Sequence, residues 1–164
     1  MASPARRLPP YAAWCGYAAC GSGVLYALCG GYWAAGGSVG LETVGGALER
    51  RARAREPGMV SVLRLTAALK LTAAALGPAV VRDGRRGLSR PPLRALCWAA
   101  TAVLVAYGGL LTSTQALAEA GVFDASGRSD GQAFHWHLYL WDPWFLGWGL
   151  LLGAATYGAG RPVR

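Results

Sequence analysis

MVSVLRLTAALKLTAAALGPAVV, the stretch Met59–Val81, holds only two charges, Arg64 and Lys70, in 23 residues. About 20 apolar residues in helical form cross a hydrocarbon core of about 30 Å. Three more such stretches flank it, at about 11–35, 95–117 and 134–157. Of the 164 residues, 54% are hydrophobic and 15% are charged, whereas a soluble domain carries about 25% charged residues. The charges cluster between the apolar stretches instead of recurring along each helix. These features predict an all-α, integral membrane four-helix bundle with short polar loops, forming one four-span domain over residues 1–164.

Arginine placement gives an orientation. The tails and middle connection hold Arg6, Arg7, Arg82, Arg85, Arg86, Arg90, Arg94, Arg161 and Arg164. The other two connections hold Arg50, Arg51, Arg53, Arg55 and Arg128. Cytoplasmic loops collect arginine and lysine, so both termini are expected inside, N-in/C-in. The run Glu49–Glu56 dissents, and its alternating signs suggest a short interfacial helix. The N-terminal apolar run continues to about Ala35 without a clean cleavage site, so it is expected to stay as the first span.

Several functions are excluded by what is missing. The net charge of +8 comes from residues flanking apolar spans, which argues against a nucleic-acid partner. There is no phosphate loop or nucleotide fingerprint. Cys15, Cys20, Cys29 and Cys97 form no C-x-x-C pair and fall within spans, where cysteine packs as a small apolar residue. No metal and no cofactor is expected. Fifteen of the sixteen basic residues are arginine, a habit of GC-rich bacterial coding. The single lysine therefore stands out.

Lys70 lies mid-span, where a charge costs about 2.5–3.5 kcal/mol on insertion scales. It is expected to face the bundle and pair with an acid, either to fix helix packing or to serve a ligand or proton. Possible partners gather at one end of the bundle: Glu42, Glu119, His135, His137 and Asp142, together with Gln115. Asp142-Pro143 reads as a helix start, with Asp as cap and Pro at the first position. Alternatively the last helix begins near Phe134 and kinks at Pro143. His137, Trp141, Trp144 and Trp148 form one stripe on a continuous helix. Such a stripe beside an acid suits a flat or cationic ligand, or else plain packing. Gly149-x-x-x-Gly153 permits close helix contact, within the bundle or between copies.

Gly30-Gly31-Tyr32-Trp33, Leu69-Lys70-Leu71, Tyr107-Gly108-Gly109 and above all Trp141-Asp142-Pro143-Trp144-Phe145 resemble a family of uncharacterised, actinobacteria-rich four-helix membrane proteins. The resemblance covers nearly the whole chain. It implies the four-span architecture and no activity.

The expected role is a non-enzymatic accessory or small-molecule/lipid-binding bundle in the cytoplasmic membrane of a bacterium. Its partners would be the lipid bilayer and a second copy or another membrane protein. One alternative is a small intramembrane enzyme acting on a lipid-like substrate through the acid, His and Trp side chains. Another is a transporter subunit using Lys70 as its coupling charge.

Overall fold

The computed structural model describes residues 8–86, 90–122 and 131–161. All regular structure among these residues is helical. The helices are α1 (Pro10–Ala34), α2 (Gly46–Arg53), α3 (Pro57–Arg85), α4 (Pro91–Glu119), α5 (Gly131–Trp136) and α6 (Asp142–Ala159). A 3-10 turn at Leu41–Thr43 and a π turn at His137–Trp141 complete the set. Arg6, Arg7, Asp124, Arg128, Asp130 and Arg164, which bear on the charge count, lie outside the described residues.

Prolines open three of the long helices, while Pro78 lies inside α3. Pro10, Pro57 and Pro91 each sit in a first turn, where a missing N–H goes unused. Pro91 and Pro92, which in sequence end a connection, thus begin α4. Helices α1, α3 and α4 are long and apolar enough to cross a membrane. At 1.5 Å per residue, α3 and α4 each run about 43 Å, through a hydrocarbon core and into the headgroups. Their outward faces carry Leu25, Leu28, Leu65, Leu69, Val103 and Leu110, all exposed. So much bare aliphatic surface suits lipid and would be an aggregation hazard in water.

Close packing depends on glycine. In α1 and α3, Gly16 and Gly77 face each other, and a Cβ on Gly16 would sit 3.0 Å from the Gly77 carbonyl. In α4 and α6, a Cβ on Gly108 would sit 2.8 Å from the Asp142 carbonyl oxygen. Gly149 and Gly153 press against Leu104, Val105 and Thr101 of α4, so this glycine pair serves contacts inside the molecule. Helix α1 also packs on α6, whereas α3 and α4 are the least engaged of the neighbouring long helices.

The long helices alternate in direction. Gly84 meets Ala159, Gly158 meets Ala12, and Gly160 meets Arg94. These contacts gather the end of α3, the end of α6 and the starts of α1 and α4 at one arginine-rich end. The opposite end holds the 36–56 connection and α5.

The last helical stretch has a specific irregularity. Elements α5, the π turn and α6 follow one another without a gap from Gly131 to Ala159. Pro143 cannot donate a backbone hydrogen bond. Just before it, the Asp142 N–H reaches the His137 carbonyl, the i to i−5 spacing of a π turn. Asp142 therefore does not open a fresh helix after a loop. The stretch begins at Gly131 and absorbs Pro143 through the π turn.

Candidate functional site

The eight side chains singled out from sequence do not form one pocket. They separate into surface ion pairs, a buried polar cluster, a mid-helix cation and, for Trp144, an aromatic contact with α1.

Glu42 and Glu119 lie on the surface. Glu42 pairs with Arg53 at 3.5 Å, and Arg53 also bonds Glu49 one turn back at 2.8 Å. These pairs hold α2, the short charged helix of the first connection. Glu119 at the end of α4 lies 3.7 Å from His135 of α5. Exposed pairs of this kind contribute about 0–1 kcal/mol each.

The buried cluster centres on Asp142, which is 2% exposed. Gln115 of α4 donates its amide Nε2 to Asp142 Oδ2. His137 Nδ1 lies 3.6 Å from the same oxygen, and its Nε2 contacts the Val44 carbonyl at 3.2 Å. In a regular α-helix, residues five apart point about 140° away from each other. The π turn stacks them, and this brings His137 over Asp142. Trp141 donates Nε1 to Thr43 Oγ1 at 3.1 Å, and Thr43 in turn bonds the Gly40 carbonyl at 2.6 Å. Gly40 has φ +75°, in the left-handed region that glycine accommodates. Trp33 Nε1 reaches the Val39 carbonyl at 3.0 Å. The connection after α1 is thus pinned to the bundle by three aromatic or imidazole N–H groups. Among the described residues the cluster is not fully paired, since Gln115 Oε1 and the nearby Thr112 Oγ1 are buried without a partner there.

Lys70 stands apart from these acids. It lies thirteen residues after Pro57 and fifteen before Arg85, near the centre of α3. Its ammonium sits 4.0 Å from the centroid of Tyr26 on α1 and 5.9 Å from that of Phe145 on α6. Among the described residues no acid pairs with it, contrary to expectation. A cation over an aromatic face is held by the ring's negative quadrupole, which substitutes in part for a counter-ion. The side chain is half-buried. Tyr107 of α4 packs edge-on against Phe145 at 5.2 Å, so a polar-aromatic row crosses from α3 over α6 to α4.

The tryptophan stripe turns inward onto α1. Trp141 meets Tyr26 at 5.3 Å and Trp33 at 5.7 Å, and Trp144 meets Tyr26 at 5.5 Å. Trp144 Nε1 donates to Ser22 Oγ at 2.6 Å. Trp148 is buried in the core beside Ala19, Val80 and Leu152. Among the described residues the three tryptophans of the stripe thus pack on α1 and in the core.

Asp83 is a further buried acid, 8% exposed near the end of α3. It accepts the Arg90 backbone N–H at 3.2 Å and pairs with the Arg90 side chain at 3.6 Å. Arg82 and Arg86 line the same small cleft. Asp83 was not singled out from sequence. No group of three potential metal ligands occurs among the described residues.

A family model described as Protein of unknown function (DUF3995) matches residues 23–152. No curated protein and no solved structure matches the chain.

Proposed function

The chain belongs to the DUF3995 family, and from that premise we propose a non-enzymatic, four-span membrane protein that works by binding. The last stretch, Gly131–Ala159, serves as the fourth span, with both termini on the cytoplasmic side of a bacterial plasma membrane. Trp141–Phe145 is taken as the family's signature segment, in a family rich in actinobacterial members.

One observation carries this proposal. Lys70, near the middle of α3, has aromatic neighbours but no acid among the described residues. An ionisable group at that depth calls for a partner. Both buried acids of the helical stretches are engaged elsewhere, Asp142 by Gln115 and His137, and Asp83 by Arg90. With no acid beside Lys70 among the described residues, its counter-charge is proposed to come from outside the chain, from an acidic side chain of a partner helix or the acidic head of an amphiphile. The thin α3–α4 seam, with Lys70, Phe145 and Tyr107 along it, is where that group would enter. Catalysis through Asp142 and His137 is less well supported, because substrate would have to reach a carboxylate that is 2% exposed.

Leu69 and Leu71 flank Lys70 and are 59% and 48% exposed. A photo-crosslinking amino acid at either position, activated in intact cells, reports what lies against this face. A protein adduct that disappears with Lys70→Leu assigns an accessory subunit. A lipid adduct that disappears likewise assigns a lipid binder. Adducts unchanged by Lys70→Leu would overturn the proposal.

A further inference from the structure

A second feature lies between α4 and α6. On α4, Trp98, Ala102 and Ala106 recur at four-residue spacing and so share one helix face. On α6, Gly153 and Tyr157 lie four residues apart, and Ala154 and Tyr157 three, which places them on the side turned to the same groove. Together they line an open apolar groove of about 590 Å³. Its floor is made of small residues, and Trp98 and Tyr157, both partly exposed, form its walls near the arginine-rich end. From Trp98 to Ala106 it runs about 12 Å along α4.

The groove has a charged mouth. Arg94 lies one turn before Trp98, and its guanidinium packs where Gly160 lacks a side chain. Arg161 lies one turn beyond Tyr157, with its guanidinium carbon 4.1 Å from the Tyr157 ring centre. Among the described residues neither arginine pairs with an acid. Two guanidinium groups with no acid partner among the described residues thus stand at the arginine-rich end, and, with α6 in the membrane, an apolar groove leads from them towards the hydrocarbon. Arginine forks match phosphate oxygens, and basic sites between helices at a membrane surface take anionic headgroups.

We propose that the α4/α6 groove binds one acyl chain of an anionic phospholipid whose phosphate is held by Arg94 and Arg161. The groove gives no reason for binding without the charge, and the arginines give no selectivity for a lipid without the groove. The proposal shares with the preceding section only the premise that α6 lies in the membrane. Lys70 takes no part in it.

The test is thermal unfolding of the full chain in a nonionic detergent, with phosphatidylglycerol, phosphatidylcholine or inorganic phosphate added. Phosphatidylglycerol should raise Tm by about 5–10 °C at a hundredfold excess over Kd, the shift expected for one site. Phosphatidylcholine and inorganic phosphate should give much less. The selective shift should vanish in Arg94→Gln/Arg161→Gln, and separately in Ala102→Trp, which fills the groove from an exposed position. Lys70→Leu should retain it. Equal shifts from phosphatidylcholine, or from free phosphate, would overturn the proposal. So would an Ala102→Trp protein that keeps the selective shift, or one that merely dissociates from a dimer into monomers.

Discussion

Replacing Lys70 with leucine separates two accounts of the mid-membrane charge. Removing an ammonium from the centre of a span relieves about 2.5–3.5 kcal/mol on insertion scales. The same change gives up the cation over Tyr26 at 4.0 Å, worth about 2 kcal/mol when desolvated. Leucine keeps the apolar part of the stem in place. Because Lys70 is half-buried, partial hydration reduces both quantities. The net expectation is a change between zero and about 1.5 kcal/mol in favour of the folded state. A buried acid abandoned by its lysine would instead cost about 3–5 kcal/mol. The two accounts thus differ by about 4 kcal/mol, well beyond the error of reversible unfolding in bicelles. Tyr26→Leu sharpens the comparison. Measured with and without Lys70, its cost should differ by about 1–2 kcal/mol, the coupling of ring and cation. A Lys70→Leu protein that loses more than about 2 kcal/mol would refute the reasoning, because it would reveal an intramolecular acid partner.

Asp142→Asn keeps an oxygen for the Gln115 amide and should cost about 1–3 kcal/mol, whereas Asp142→Leu, which strands Gln115 and His137, should cost clearly more in the same unfolding assay. Gly108→Ala places a Cβ against the α6 backbone and should lower stability by at least about 2 kcal/mol. Gly147→Ala, with open space around it, should be neutral or raise stability by about 1 kcal/mol through helix propensity. Equal effects at the two glycines would contradict the α4/α6 contact.

The apolar stretches were legible because bilayer thickness dictates their length, and Met59–Val81 could hardly be anything but a long helix. Their rotation was not. A helix that is apolar nearly all round gives no face preference, so nothing in the sequence said that Lys70 would meet Tyr26 in place of an acid. The acids at the polar-loop end were visible as residue types, but their grouping was not. His137 and Asp142 come together only because a π turn stacks residues five apart. Pro143 was the available clue, since its missing N–H disrupts the ladder just there. Trp141 and Trp144 read as packing more readily than as a ligand stripe, but their partners on α1, Tyr26, Trp33 and Ser22, could not be read from their spacing. Asp83 was hidden by its arginine neighbours.

The central claim is that the interrupted last helix crosses the membrane as a fourth span. It sets Phe145 beside Lys70 at mid-depth and puts the α4/α6 groove in lipid. The direct measurement fuses alkaline phosphatase or green fluorescent protein after Arg164, and separately to chains ending at Gly121. Four spans predict fluorescence and no phosphatase activity after Arg164, and the reverse after Gly121. Phosphatase activity after Arg164 would leave only α1, α3 and α4 crossing, and would contradict the account.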